Sequence, residues 1–179
     1  MITNLINILT FSRIIIGIFI FLMLMMDTYY FFALCLFFIA GATDYFDGFF
    51  ARKYKATSDI GEILDPIADK ILIIFLFIGL AINLSSFLIG FASSIIISRE
   101  IWVSALRDFN ARNNNEHATK VIYVAKIKTT IQLFTILIYL SALAFNNMLL
   151  IVVGDVLILA AVLITIYSGF LYTINTFKN

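Results

Sequence analysis

The stretch that decides the fold and the chemistry of this chain is residues 44–70, DYFDGFFARKYKATSDIGEILDPIADK. It contains two pairs of carboxylates, Asp44 with Asp47 and Asp65 with Asp69. Spacings of three and four residues put the members of each pair on one face of a helix. The flanking sequence is almost wholly apolar, and carboxylates near a membrane need metal ions, cations or water as partners. Two pairs facing each other would form an oxygen-rich cage for two divalent cations, of which Mg²⁺ or Mn²⁺ fit such ligands best.

The composition predicts an integral membrane protein. The chain has 179 residues, of which 63% are hydrophobic, and its mean hydropathy is +1.05. A soluble domain of this size has too small an interior to bury such a share. No linker or internal repeat divides the chain, so we predict one domain over residues 1–179. The net charge of +1 gives no indication of nucleic-acid binding, and no nucleic-acid partner is predicted.

The apolar segments predict an all-α protein with six transmembrane helices, preceded by a short N-terminal juxtamembrane segment. A membrane span needs about 20 apolar residues. We expect helices at residues 8–26, 29–49, 63–84, 86–105, 120–145 and 153–175, several of them running past the bilayer on one side.

The distribution of basic residues predicts the orientation. The connections at residues 27–30, 83–87 and 145–152 contain no Lys or Arg, whereas segments 50–60 and 107–128 and the C-terminus hold most of the twelve. Because basic residues stay in the cytoplasm, both termini and the carboxylate cluster are expected on the cytoplasmic side.

The spacing D-x2-D-G-x2-A-R-x8-G-x3-D-x3-D resembles the signature of the CDP-alcohol phosphotransferase family. Eight specified positions match without a gap: Asp44, Asp47, Gly48, Ala51, Arg52, Gly61, Asp65 and Asp69. Residues 4–13, NLINILTFSR, also resemble the segment N-L-P-N-x-L-T-x-x-R that opens these enzymes, with Ile6 in place of the usual Pro.

The resemblance implies the roles of these residues. In the family all four Asp positions bind two divalent metal ions, and the position of Asp69 also takes the proton from the acceptor alcohol. The nucleotide of the CDP-lipid is implied to be held by Asn7, Thr10, Asp47, Gly48, Ala51, Arg52, Ser58 and Gly61. For residues 4–13 a polar lead-in with Arg13 anchored at the membrane interface is an equally open interpretation. The resemblance further implies a homodimer in a plasma membrane of the bacterial type.

A second polar group, between residues 98 and 132, predicts the acceptor site. Arg99, Arg107, Lys126 and Lys128, if they converge near the carboxylates, would bind an anionic phosphate. The alternatives are pairing of Arg99 with Glu100 and anchoring of the basic residues at the interface.

The patterns R-E-x6-R and K-x-K-T-x2-Q in this segment resemble the phosphatidylglycerophosphate synthase branch of the family, with Ala125 in place of the usual Gly. This resemblance implies transfer of a phosphatidyl group from CDP-diacylglycerol, held among the membrane lipids, to sn-glycerol 3-phosphate.

Four other functions compete with this interpretation. CDP-diacylglycerol-dependent cardiolipin synthases share much of the pattern. Intramembrane prenyltransferases also use Asp-rich motifs, but need a second motif on a distant helix. A divalent-metal transporter is opposed by Arg52, Lys53, Lys55 and Lys70, which would repel a permeating cation. An inactive structural homologue is opposed by the intact eight-position motif.

Overall fold

The computed structural model describes residues 2–54, 59–113 and 123–177, and every regular element within them is an α-helix. The helices are α1 (Ile2–Met25), α2 (Tyr30–Tyr54), α3 (Asp59–Asn83), α4 (Phe87–Arg112), α5 (Tyr123–Ala144) and α6 (Met148–Phe177). The predicted all-α class is confirmed for the described residues.

Several helices extend beyond the predicted bounds, mostly at the end that carries the polar residues. α1 begins at Ile2 instead of residue 8, α2 ends at Tyr54 instead of 49, and α4 ends at Arg112 instead of 105. The prediction followed the apolar residues, whereas a helix continues through polar residues when no Pro or Gly stops it. In α1, Ile6 supplies the backbone N–H that a proline would lack, so the predicted juxtamembrane segment forms the first turns of the helix.

Short turns join the helices at the opposite end. Residues 26–29, 84–86 and 145–147 form these turns, and each contains a residue in the left-handed region: Asp27 (φ 51°), Ser85 (φ 46°) and Asn146 (φ 50°). Such a residue ends a helix within one turn. Asn83 Nδ2 also donates to the carbonyl oxygen of Leu24 at 2.8 Å, which ties the ends of α1 and α3 together.

Helix α3 lies at the centre of the bundle, in contact with α1, α4 and α5. Its buried side chains Leu76, Phe77 and Leu80 belong to a core shared with α1, α2, α4, α5 and α6. At Gly17, a Cβ atom would lie 3.3 Å from the Cα of Leu72, so the glycine permits close packing of α1 on α3. This close contact holds the two helices together just above the polar end of the bundle.

The outer surface of the bundle suits a lipid environment. Four helices contain segments long and apolar enough to cross a membrane: Asn7–Met25, Phe87–Arg112, Ile127–Ala144 and Met148–Phe177. α2 adds a shorter apolar stretch, Tyr30–Phe46. Large apolar side chains are exposed along the bundle, as at Leu163, which is 70% exposed. The chain is therefore an all-α integral membrane protein.

Candidate active site

Three carboxylates of the signature converge at the polar end of the bundle. Asp44 lies on α2, and Asp65 and Asp69 lie one turn apart on α3. All three accept hydrogen bonds from the guanidinium of Arg13 on α1: Nη1 contacts Asp44 Oδ1 at 2.5 Å and Asp69 Oδ1, while Nη2 contacts Asp65 Oδ1 at 3.1 Å. Thr10, one turn before Arg13, donates to the same oxygen of Asp65 at 2.7 Å. The cluster therefore joins three helices.

The burial of Arg13 argues against one of the two interpretations of the N-terminal segment, an arginine anchored at the membrane interface. Its side chain is only 1% exposed, whereas those of Asp44, Asp65 and Asp69 are 58%, 47% and 49% exposed. An arginine anchored at the membrane interface would extend toward the headgroups. Arg13 does not; the structure makes it the buried centre of the carboxylate cluster, with the carboxylates open to solvent on their other side.

The chemistry of the donor set fits a hard divalent cation. Carboxylate oxygens are the ligands that Mg²⁺ and Mn²⁺ prefer, and the hydrogen bonds with Arg13 engage Oδ1 of each carboxylate. Among the side chains that the structure describes, no three acidic, His or Cys groups already form a metal-binding cluster. The side chain of Asp47, on the same helix as Asp44, lies outside the described part. The four-carboxylate cage therefore stays a prediction.

The residues expected to hold the nucleotide are only partly described. Thr10 is buried against Asp65, and Asn7 lies half-buried one turn earlier on α1. Gly48 is half-buried near the end of α2, and Gly61 is buried near the start of α3. Ala51 and Arg52 continue α2, but their side chains lie outside the described part of the chain, as does Ser58 altogether.

An apolar cavity of about 550 Å³ opens beside the carboxylate cluster. Its polar edge includes Arg13, Asp44 and Asp69. Its apolar walls come from α2, α3 and α5 and include Phe37, Phe38, Leu72, Ile73, Leu133, Phe134 and Leu137. The cavity leads from the charged cluster into the apolar part of the bundle.

A second cavity, of about 430 Å³, lies on the other side of Asp69. Four cations line it, Lys70, Arg99, Arg107 and Lys128, together with the carboxylates of Asp69 and Glu100. Three of the four residues predicted for the acceptor site thus share one cavity. The fourth, Lys126, lies on α5, and its side chain is outside the described part. The cavities have Asp69, Ile73, Thr129 and Thr130 in common, so Asp69 stands at their junction.

Glu100 holds two of these cations in place. Its Oε1 accepts hydrogen bonds from Lys128 and, at 3.2 Å, from Arg99. Arg99 also donates to Ser168 Oγ of α6 at 2.9 Å. Pairing of Arg99 with Glu100, one of the alternatives raised by the sequence, is therefore confirmed, and Lys128 joins the pair. The arrangement lets Arg99 and Lys128, both more than 90% buried, remain charged inside the bundle.

Tyr172 of α6 supports the other arginine of the cavity. Its hydroxyl accepts a hydrogen bond from Arg107 Nη2 at 3.0 Å, and its ring lies 5.2 Å from Arg107 Cζ and 5.8 Å from Arg99 Cζ. The tyrosine is fully buried. A hydrogen bond together with cation–π contact fixes the guanidinium more tightly than either alone. α6 thereby positions both arginines although it contributes none of the predicted residues.

Sequence reasoning missed Arg13, Glu100 and Tyr172 as parts of these sites. For Tyr172 one signal was available: Thr165, Ser168, Gly169, Tyr172 and Thr176 recur at helical spacing in an otherwise apolar span. Four of them carry hydroxyl groups, which indicates a polar contact face inside the membrane.

A profile of the CDP-alcohol phosphatidyltransferase family matches residues 3–167 of the chain. The chain belongs to this family. The resemblance drawn from the carboxylate signature is therefore confirmed, and the competing assignments to prenyltransferases and metal transporters are wrong.

The names of similar curated proteins agree with this family assignment. The chain is 40% identical over 133 residues to a protein of Blochmanniella floridana, covering 74% of this chain and 68% of the relative. It is 38% identical over 139 residues to a protein of Haemophilus influenzae (76% and 72%) and 33% identical over 144 residues to one of Yersinia enterocolitica (80% and 78%). All three relatives are named CDP-diacylglycerol–glycerol-3-phosphate 3-phosphatidyltransferase.

Proposed function

We propose that this chain transfers the phosphatidyl group of CDP-diacylglycerol to sn-glycerol 3-phosphate, giving phosphatidylglycerophosphate and CMP. The observation that carries the proposal is the position of Asp69 at the junction of an apolar and a basic cavity. A transferase of this kind must bring a lipid and a charged, water-soluble acceptor to one reacting phosphorus. The names of the relatives support the same pair of substrates.

The apolar cavity supports a lipid donor. Its walls are aromatic and aliphatic, and its polar edge carries Arg13, Asp44 and Asp69. An acyl chain of CDP-diacylglycerol would gain from contact with these walls, while its diphosphate stays at the charged end. Asn7, Thr10, Asp47, Gly48, Ala51, Arg52, Ser58 and Gly61 would hold the nucleotide.

The basic cavity supports a dianionic acceptor. A phosphate monoester carries about two negative charges near neutral pH, and four cations against two carboxylates line this cavity. Arg107 borders this cavity, and its Nη2 donates to the neutral hydroxyl of Tyr172, so an anion in the cavity could still pair with its charge. Arg107 would therefore bind the acceptor phosphate, together with Lys126, Lys128 and Arg99.

Asp44, Asp47, Asp65 and Asp69 would hold two Mg²⁺ or Mn²⁺ ions. When bound, such ions neutralise a diphosphate and stabilise the charge that develops on the leaving group. The signature carboxylates supply only oxygen ligands, which is the donor chemistry that these ions require.

The chain's own residues supply the rest of the reaction. The oxygen of the glycerol 1-hydroxyl attacks the lipid-side phosphorus of the diphosphate, and Asp69 accepts the proton of this hydroxyl. The new O–P bond forms as the bond from that phosphorus to the CMP oxygen breaks, so CMP leaves with the electron pair. The cations of the basic cavity hold the acceptor phosphate, which orients its 1-hydroxyl toward Asp69.

Replacing Arg107 with Ala tests this function. A charge-assisted hydrogen bond contributes about 1.5–3 kcal/mol, so the KM for glycerol 3-phosphate should rise about tenfold or more. The KM for CDP-diacylglycerol should change little. Initial rates of product formation in detergent, with each substrate varied in turn, measure both constants.

Arg112→Ala is the matched control, because Arg112 is exposed at the end of the same helix and outside the cavity. Equal effects of the two variants would contradict the assignment of Arg107. Phosphatidylglycerol acting as a better acceptor than glycerol 3-phosphate for the wild type would indicate the cardiolipin synthase reaction instead.

A further inference from the structure

Arg13 donates hydrogen bonds to three of the four signature carboxylates. It reaches Asp44, Asp65 and Asp69, which belong to two helices other than its own. It is almost completely buried, whereas each carboxylate is about half exposed. The guanidinium therefore lies on the protein side of the cluster, and the carboxylates separate it from solvent.

Three carboxylates that converge within hydrogen-bonding distance of one group repel one another strongly. At an effective dielectric constant of about 20, two like unit charges 4 Å apart interact four times more strongly than in bulk water. A bound cation relieves this repulsion, and so does a guanidinium with its five donors in a rigid fork. A single nitrogen of Arg13, Nη1, donates to a carboxylate of α2 and to one of α3.

We propose that Arg13 is the resident counter-ion of the carboxylate cluster, with two consequences. It offsets part of the negative charge of the cluster when no divalent cation is bound, so that the fold does not depend on the metal. It also opposes the bound metal ions electrostatically, so that the metal is held weakly enough to exchange. The first consequence stands on the described contacts alone, and the second rests on the proposed metal site.

A variant without the positive charge should therefore be less stable when no metal is bound, but should bind the metal more tightly. Arg13→Met should leave the carboxylates unbalanced, which lowers the thermal stability of the protein in EDTA. The same variant should bind Mn²⁺ more tightly, by about tenfold or more, because a unit positive charge beside the cation has been removed. Bound Mn²⁺ should then restore its stability.

The experiment compares wild type, Arg13→Met and Arg13→Lys in detergent, with Arg112→Met as the control for loss of an arginine on the surface. Thermal unfolding is followed in EDTA and with added Mn²⁺, and Mn²⁺ binding is measured by electron paramagnetic resonance. Wild type, Arg112→Met and Arg13→Lys should gain less stability than Arg13→Met from the same concentration of Mn²⁺, since each retains a positive charge at residue 13 and therefore binds the ion more weakly.

Unchanged or weaker Mn²⁺ binding by Arg13→Met would overturn the proposal, as would an equal loss of stability with and without the ion. If Arg13→Met does not yield folded protein, the double variant Arg13→Met with Asp65→Asn decides, because it removes one negative charge as well. Recovery of folded double variant supports charge balance, and its failure to fold overturns it. These measurements need no substrate, so their outcome is independent of the proposed transfer reaction.

Discussion

Asp69 combines three features of the site. It accepts a hydrogen bond from Arg13, it borders the apolar cavity, and it borders the basic cavity. A general base must lie within reach of the acceptor hydroxyl while the donor phosphorus lies on its other side. Asp69 meets this requirement by position, whereas Asp44 borders only the apolar cavity.

Replacing Asp69 with Asn is expected to reduce turnover much more than binding of the nucleotide. General-base catalysis contributes about 10²–10⁴-fold, and an amide cannot accept the proton, although its oxygen can still accept the hydrogen bond from Arg13. CMP affinity and kcat, measured on the same preparation, separate the two effects. Equal losses of affinity and rate would make Asp69 a ligand only. Asp155→Asn is the control, since Asp155 bonds Tyr139 elsewhere in the bundle, outside both cavities.

The site could be predicted from sequence where it depends on local spacing. Intervals of three and four residues predict that Asp44 shares a helix face with Asp47, and Asp65 with Asp69. The central position of Arg13 could not be identified in this way. Its partners lie 31 to 56 residues further along the chain, and only the packing of α1 against α2 and α3 brings them to it.

Helix α6 acts as a support for the basic cavity, although its sequence looks like an ordinary apolar span. Its polar face bonds α4 through Ser168 with Arg99, Tyr172 with Arg107 and Thr176 with Asn110. Thr165 on the same face accepts from Gln132 of α5. These contacts fix the two helices that carry the predicted acceptor residues.

Tyr172→Phe is expected to raise the KM for glycerol 3-phosphate about threefold to tenfold with little change in kcat. The variant keeps the ring beneath Arg107 but removes the hydroxyl that accepts its hydrogen bond, so the guanidinium is less well positioned. Steady-state kinetics with the concentration of glycerol 3-phosphate varied measures KM and kcat separately. Tyr167→Phe is the control because Tyr167 is exposed on the same helix. A fall in kcat at constant KM would contradict a positioning role for Tyr172.

Contact between α5 and α6 at the opposite end depends on Gly154. A Cβ at this position would lie 2.6 Å from Tyr139 Cε1. The ring cannot move easily, because Tyr139 is fully buried and its hydroxyl donates to Asp155 at 2.7 Å.

Gly154→Ala should therefore lower the free energy of unfolding of the solubilised protein by about 1–3 kcal/mol, as at other overpacked sites. Gly41→Ala is the matched control: a Cβ at Gly41 would meet nothing within 4 Å, so its stability should stay near that of the wild type or rise slightly. Thermal unfolding of both variants in one detergent is the measurement. A stable Gly154→Ala protein would show that α5 and α6 are less tightly packed than described.

The all-α membrane class could be predicted from the apolar segments, but several ends of the described helices could not. Hydropathy shows where a chain crosses the membrane, whereas α1, α2 and α4 continue as helices into the polar end. There the backbone groups form their hydrogen bonds within the helix, and side chains such as those of Thr10 and Asp44 form hydrogen bonds with neighbouring helices.

At the scale of the whole molecule, both cavities and the carboxylate cluster lie at one end of the bundle, and the turns at residues 26–29, 84–86 and 145–147 lie at the other. The basic residues predict that the first end faces the cytoplasm. Such an orientation would give the site access to cytoplasmic nucleotides and phosphorylated metabolites. The homodimer implied by the family resemblance also stays a prediction, as does a single domain over residues 1–179.

Labelling of single cysteines tests the orientation. Cys35 is the one cysteine of the chain and is exposed, so it is first replaced by Ser. A cysteine at Asn146 should then react with a membrane-impermeant maleimide in intact cells, whereas one at Asn113 should react only after permeabilisation. Both positions are exposed and lie at opposite ends of the bundle. The reverse pattern would place the site outside the cell.

The central claim is that this site transfers the phosphatidyl group of CDP-diacylglycerol to glycerol 3-phosphate. CMP release by the purified protein tests this claim most directly. Rates are compared in Mn²⁺ with glycerol 3-phosphate, phosphatidylglycerol, serine or no acceptor. We predict that CMP forms with glycerol 3-phosphate at a rate about tenfold or more above every other condition, and that the rate falls to background in EDTA. Faster release with phosphatidylglycerol or serine, or release that needs no acceptor, would contradict the account.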